Sequence, residues 1–307
     1  MTKVLITGSN GLLGQKLVEL LSHSAYYQTI LTSRQGSSVY RDESLEYRTL
    51  NIADKAGVRK LIDETEPEII VNTAAMTNVD QCETEREEAW RTNVVGVENL
   101  VHAAKLVGAR IIQISTDYVF DGKDGPYDEF SRPNPICYYG RTKLAAENVL
   151  KTSGIPHAIV RTMVLYGMGH GVKTNFALWL LKSLSEGKPV KVVEDQLGNP
   201  TLADDLAFAL VKIVELGRTG TYHIAGPDIV SRYEFGKRLA AVFQLDGKLL
   251  TPVKSAVLTQ PAPRPLKSGF IILKAETELG LRLSGIKDGL TILKNQLSLS
   301  TKEHYTR

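Results

Sequence analysis

The chain opens on an apolar run at residues 3–7, breaks into glycine, and resumes with Leu12, Leu13, Leu17, Leu20 and Leu21 at helical spacing. A short apolar run followed by a 3.6-residue period predicts strand, turn and helix. The alternation then repeats. Runs at 29–32, 46–50, 69–72, 111–114 and 158–164 predict strands, and 221–225 a last short one. Residues 55–65 read as a helix ended by Pro67. Thr84-Glu85-Arg86-Glu87 reads as a capping box opening a long helix that turns Ala89, Asn93, Val97, Leu100 and Val101 toward the sheet. Residues 143–150 and 202–216 predict further helices. Strands alternating with helices predict an α/β protein built on a doubly wound parallel sheet.

The second half is patterned differently. Residues 166–174 hold three glycines and His170, the composition of a mobile loop, and His170 reads as a solvated loop residue or one facing a ligand. Residues 175–186 predict a helix with Trp179 packed into the core. Ser231-Arg232-Tyr233-Glu234 is a second capping box, opening a helix through Phe243. Prolines at 252, 261, 263 and 265 exclude regular helix there, and 286–296 predicts a last helix. Residues 1–165 and 202–226 are therefore expected to form the sheet domain. Residues 166–201 and 227–307 are expected to form a smaller C-terminal α/β domain, with ligands at the junction.

Composition narrows the function. Of 307 residues, 43% are hydrophobic and 23% charged, ordinary values for a globular enzyme. A net charge of +3 without any Lys/Arg run argues against nucleic acid as a partner. No apolar run has the length of a membrane span. The N-terminus enters a strand pattern at once, without a secretory signal. Cys82 and Cys137 lack metal-ligand spacing and fit a reducing compartment. No metal and no membrane are expected, and the location expected is cytoplasmic. Cys137, two residues before Tyr139, reads as a small packed thiol or as a wall of the site.

Candidate chemistry sits at the strand ends. Gly8, Gly11 and Gly14 are spaced G-x-x-G-x-x-G between a strand and a helix, with Asn10 and Leu12 in the same turn. Glycine there lets the backbone approach a pyrophosphate lodged at the helix N-terminus. The second strand ends in Ser33-Arg34, with no acidic residue to hold a ribose 2′-hydroxyl. That pair suits a 2′-phosphate, so NADP(H) is expected over NAD(H); the alternative is a solvated arginine. Asn51 and Ile52 are candidate adenine contacts, and Ala74, Ala75 and Met76 are small enough for close passage of the cofactor. Ser115 and Thr116 fall at the carboxyl end of the strand at 111–114. Tyr139 and Lys143, four apart, share one helix face. A nearby ammonium favours the phenolate of a tyrosine whose free pKa is about 10. Such a tyrosine can protonate an alkoxide, with Thr116 donating to the same oxygen. Taken alone, a Tyr-x-x-x-Lys pair reads as an ordinary helix surface.

With Thr7-Gly8-x-x-Gly11-x-x-Gly14, Asn72-Thr73-Ala74-Ala75, Asn93, Ser115-Thr116-Asp117 and Tyr139-x-x-x-Lys143 together, the chain resembles the extended short-chain dehydrogenase/reductase family. Residues 71–80, 115–122 and 139–147 and Asp195-Gln196-x-Gly198-x-Pro200-Thr201 make it most similar to the dTDP-4-dehydrorhamnose reductases. The resemblance implies a Rossmann sheet carrying a smaller substrate domain, and reduction of a 4-keto-6-deoxy nucleotide sugar by NADPH in dTDP-rhamnose biosynthesis. It implies Tyr139 as proton donor, Lys143 on the nicotinamide ribose lowering the tyrosine pKa, and Thr116 orienting the carbonyl. Asn93 would serve the cofactor. Asp117, Asn175 and Arg264 would serve the substrate, Arg264 at the diphosphate, with a surface-paired arginine as the other reading. A homodimer is a candidate assembly. Related dehydratases carry Asp-Glu after the threonine, whereas Asp117-Tyr118 stands here, which favours ketone reduction. Two departures concern the substrate: Met163-Val164 follow Arg161-Thr162 where reductases usually have a tryptophan, and Leu266-Lys267 and Gly269 alter the surroundings of Ser268. Two other activities remain within the resemblance: a regulatory subunit like that of methionine adenosyltransferase, which acts by binding a partner enzyme, and a nucleotide-sugar epimerase.

Overall fold

A computed structural model describes residues 1–42 and 44–305. Seven strands form one parallel sheet: β1 (Thr2–Thr7), β2 (Tyr27–Ser33), β3 (Glu46–Thr49), β4 (Ile69–Asn72), β5 (Arg110–Thr116), β6 (His157–Thr162) and β7 (Gly220–His223). Their order is β3-β2-β1-β4-β5-β6-β7. The chain moves outward from β1 to β3 and then returns to the other side of β1. The carboxyl ends of β1 and β4 therefore flank the switch point where ligands bind in open α/β sheets. This is the doubly wound Rossmann fold.

Helices cover both faces because each strand offers apolar side chains to both. On one face α1 (Leu12–Ser22) and α6 (Ala203–Glu215) bury Leu13, Leu17, Leu206 and Leu210 against Ile6, Val71 and Val160. On the other, α2 (Lys55–Thr65), α3 (Gly96–Val107) and α4 (Tyr138–Ser153) bury Val58, Leu100, Ala146 and Leu150 against Leu5, Ile70 and Ile159. A third apolar cluster draws on α5 (Phe176–Ser185), α7 (Arg232–Phe243) and α8 (Ile286–Tyr305), with Leu180, Phe235, Leu239 and Leu290 at its centre. Val190–Val193 pairs in parallel with Leu250–Val253 beside it. Among the described residues no helix is long and apolar enough to cross a membrane.

Several local expectations are corrected. The capping box at 84–87 does not form. Asn78 caps the helix Val79–Thr84 instead, and Glu85, at φ −113° and ψ 58°, breaks the chain before the helix Arg86–Trp90. A π-helical turn, Arg91–Val95, then leads into α3, so the expected single helix is three pieces. At Ser231 one half of a box does form, its hydroxyl accepting from the Glu234 amide at 3.0 Å. The loop at 166–174 is tied down. Gln15 of α1 donates to the His170 carbonyl and accepts from its amide, both at 2.8 Å. Trp179 is 43% exposed rather than packed inside, resting against Phe176.

One buried charge pair joins α4 to the sheet. Glu147 accepts from Arg161 Nε at 2.8 Å and Arg161 Nη2 at 2.7 Å, and from the Ser115 hydroxyl at 2.6 Å, with both charged residues essentially inaccessible. Burial raises the carboxyl pKa, but Arg161, Ser115 and Lys151 outweigh it and hold Glu147 below the usual carboxylate range. Its stabilising contribution is thus complete above the unfolded value of about 4.3 and is lost as pH falls through the lower folded value. Glu147→Gln strands the Arg161 guanidinium, and we expect a loss of about 3–5 kcal/mol in urea unfolding at pH 7. The loss should shrink at acid pH, where the parent loses the pair as well. An unchanged unfolding midpoint at pH 7 would contradict this account.

Candidate active site

The first wall of the site is the β1–α1 turn. Gly8 sits at φ +72°, and a Cβ there would stand 2.8 Å from the Ala74 amide nitrogen, so only glycine lets this turn close on the end of β4. Gly11 is the N-cap of α1, makes no side-chain cap, and is followed by no acidic residue in the first turn. Gly14 packs against the Gly8 carbonyl. The first amides of α1, next to Leu12, are therefore free to receive a pyrophosphate. Asn10 fastens this turn to the segment after β2, donating to Ser37 O at 2.9 Å and accepting from Val39 N.

The remaining cofactor candidates lie around that turn. The Arg34 side chain is 62% exposed and, among the described residues, meets Glu88 alone, at 3.7 Å. Ser33 beside it shares a 2.8 Å hydrogen bond with Tyr47. Asn51 caps its own turn through Ala53 N, and Ile52 is buried with its carbonyl accepting from Asn99. Ala74, Ala75 and Met76 form the loop after β4. Asn93, in the π-helical turn, grips that loop. It accepts from Met76 N at 2.8 Å and donates to Met76 O at 3.0 Å, while also donating to Thr142 of α4. These residues fit a dinucleotide: uncapped helix amides, a glycine cradle and an exposed guanidinium at the end of β2.

The second wall brings Thr116, Tyr139 and Lys143 together. Thr116 ends β5 and caps the short 3₁₀ turn Asp117–Val119, its hydroxyl donating to Asp117 Oδ1 at 3.1 Å. Gly140 lets α4 press onto that turn, since a Cβ there would overlap the Tyr118 carbonyl. The next residue back, Tyr139, is thereby carried to Thr116, whose hydroxyl acts on the phenol and favours its ionised form. The Tyr139 ring is 8% exposed and meets Tyr118 edge-on at 5.6 Å. One turn on, Lys143 is 4% exposed and its ammonium donates to Ile114 O at 2.6 Å.

The electrostatics depart from expectation. Burial drives the Tyr139 phenol upward; the Thr116 hydrogen bond opposes this and Asp117 adds to it. Lys143 therefore does not lower it in the protein alone. Burial depresses Lys143 itself to about 8, with Glu147 opposing. Desolvation acts on both groups in the direction of the neutral form.

The substrate candidates divide. Asp117 lines a narrow cavity at the carboxyl edge, its second oxygen accepting from Ser268 at 2.7 Å, and burial raises its pKa. Asn175 instead caps α5, accepting from Leu178 N and donating to Gly167 O. Arg264 is paired rather than free: it donates to Asp80 at 2.8 Å and to Ala262 O at 2.7 Å. Cys137 is a buried packed thiol beside Cys82.

Sequence reasoning missed three features. Arg232 lines the cavity from the start of α7. Val164 lines it too, in the left-handed region at φ 49°, which is strained for a β-branched residue. Thr162, register partner of Thr116, keeps a buried hydroxyl without a partner among the described residues. Only Val164 had a sequence signal, as the residue replacing the usual aromatic. Among the described residues no cluster of three or more His, Cys, Asp or Glu has a metal-binding arrangement.

Comparisons with known proteins place the chain among relatives of one family. Residues 1–298 match the family model described as the RmlD substrate binding domain. A dTDP-4-dehydrorhamnose reductase of Aggregatibacter actinomycetemcomitans is 34% identical, over 96% of this chain and 98% of its own. The spore coat polysaccharide biosynthesis protein SpsK of Bacillus subtilis is 34% identical, over 92% and 93%. A crystal structure of a dTDP-4-dehydrorhamnose reductase from Clostridium acetobutylicum superposes with a TM-score of 0.87 at 35% identity, covering 97% of this chain and all of that one. The Bacillus anthracis reductase in complex with NADP gives 0.83 at 32%, over 96% and 100%.

Lys143 generates a prediction independent of activity. Between about 8 and about 10.4 the unfolded chain binds more protons at this lysine than the folded one, so stability rises with pH across that window. Without cofactor, Lys143→Met removes the buried ammonium and should unfold at higher urea at pH 7, by roughly 1–3 kcal/mol. The gain should vanish near pH 10. A variant less stable than its parent at pH 7 would show that the ammonium carries no such penalty.

Proposed function

The chain belongs to the RmlD substrate binding domain family of the extended short-chain dehydrogenase/reductases, and we propose that it reduces the ketone of a nucleotide-linked 4-keto-6-deoxysugar, that of dTDP-4-dehydrorhamnose above all. It is an NAD(P)-dependent oxidoreductase by descent. The observation that carries the reading is the convergence of Thr116, Tyr139 and Lys143 at the carboxyl edge of the sheet, beside a glycine turn fit for a dinucleotide. Residues 1–165 and 202–226 would hold the cofactor, and 166–201 and 227–307 the sugar nucleotide.

The bound nicotinamide cofactor supplies the hydride. The hydroxyls of Thr116 and Tyr139 lie together at the carboxyl edge and would both serve the ketone oxygen, Thr116 once it turns from Asp117. Tyr139 holds its proton firmly in a desolvated setting, which suits a donor that must release it only to an alkoxide. Lys143 donates to the Ile114 carbonyl and would hold a ribose hydroxyl of the cofactor. Burial of the site excludes water from competition for the proton. For the cofactor, exposed Arg34 with Ser33 supports a preference for NADP(H) through the 2′-phosphate, as does the NADP complex of the Bacillus anthracis relative.

Two measurements test this. Tyr139→Phe keeps the ring and removes the proton: reduction of dTDP-4-dehydrorhamnose should slow by roughly 10²–10⁴, with NADPH affinity within a few-fold of the parent. A parent-like rate would remove Tyr139 as proton donor. Arg34→Ala should weaken NADPH binding by about 10- to 100-fold and leave NADH little changed. Equal losses for both cofactors would place the arginine outside the 2′-phosphate site.

A further inference from the structure

The cavity at the carboxyl edge contains a charge that the protein leaves unmatched. Arg232 lines it with Asp117, Tyr118, Gln196 and Ser268. Its guanidinium lies over the Phe176 ring, 5.2 Å from the centroid, within cation–π range. Among the described residues it forms no ion pair, and its side-chain N–H groups meet no acceptor. The nearest carboxylate, Asp117, is already taken by Thr116 and Ser268. The two other arginines of this region are committed elsewhere, Arg264 to Asp80 and Arg161 to Glu147. Burial pulls the Arg232 pKa down, Tyr118 and Asp117 oppose this, and Arg264 adds to it. A partly sunken guanidinium near another cation is unfavourable unless something supplies an anion.

We propose that Arg232 is the anion-reading residue of the substrate cavity, its fork receiving the diphosphate of the sugar nucleotide. This rests on the reading of the chain as a nucleotide-sugar reductase. A planar guanidinium matches two phosphate oxygens at once, and the Phe176 ring holds it by a cation–π contact at the cavity wall. Arg264 then has a structural part: with its Asp80 contact, and with Asp80 also accepting from Ala262 N, it straps the proline-rich segment onto the helix Val79–Thr84. The step from nucleoside to nucleoside diphosphate affinity is accordingly set by Arg232.

Calorimetric titration of the NADP-loaded protein with thymidine and with dTDP tests this in the parent, Arg232→Gln and Arg232→Lys. We expect dTDP to bind about 10- to 100-fold more weakly to Arg232→Gln, thymidine affinity to change little, and Arg232→Lys to fall between. Melting temperature and NADPH affinity report the fold of each variant, and Arg232→Lys carries the same comparison if the glutamine variant does not fold. Equal dTDP affinity in parent and variants overturns the inference. A parent that binds neither thymidine nor dTDP overturns the nucleotide-sugar reading beneath it, which the equal-affinity result does not.

Discussion

A single carboxylate, Glu147, holds the working parts in register. It sits on α4 one turn beyond Lys143 and two beyond Tyr139. Its oxygens bind Ser115 on β5, the neighbour of Thr116, and Arg161 on β6, the neighbour of Thr162. Arg161 reaches on to His223 of β7 at 3.3 Å, and His223 contacts the Tyr127 carbonyl. Burial and then the Arg161 charge depress the His223 pKa to about 3, so the ring is neutral and adds no second cation to the network. A buried ion pair is costly to desolvate and succeeds only when every remaining lone pair is satisfied. Here the satisfaction of those lone pairs is what orients α4 against three strands. The helix cannot rotate or slide without breaking the pair, and so the phenol stays beside Thr116.

The same desolvation that makes the pair rigid sets the chemistry. Lys143 and Tyr139 lie next to it in an interior that disfavours charge, and both are pushed toward neutrality. The protein by itself therefore keeps the tyrosine protonated, and the lysine is stabilised by one backbone carbonyl. Asn93 contributes from the other side: one amide group spans the loop after β4 and Thr142 of α4, so the cofactor wall and the proton-donor wall share a brace.

The sheet and its order of elements were legible because apolar runs and helical periods are local signals. So were Gly8, Thr116, Tyr139 and Lys143, which stand at strand ends or at a four-residue helical spacing. Glu147 and Arg161 were not legible as partners: fourteen residues apart and charged, they look like solvated surface until the crossover from α4 to β6 buries them together. The failed capping box has the same cause. Thr84 and Glu87 carry the right side chains, but Glu85 takes a non-helical conformation so that the short helix before it can dock on α4. The pairing of Arg264 was hidden for a related reason. Arg264 carries the motif, yet Asp80, nearly two hundred residues earlier in the chain, claims it, whereas nothing local to Arg232 says that it faces a cavity. Asn175 likewise reads as a polar ligand and acts as a helix cap.

Val164 joins two properties usually selected apart. Its backbone occupies a region that costs a β-branched residue on the order of 1–3 kcal/mol, and its side chain lines the cavity proposed for the substrate. Replacement by glycine or asparagine relaxes the backbone and reshapes the cavity in one step. Variation at this position is thus cushioned: a lineage can alter which sugar it accepts while gaining stability, the reverse of the usual trade between new specificity and a sound fold. The site carries its own reserve for change.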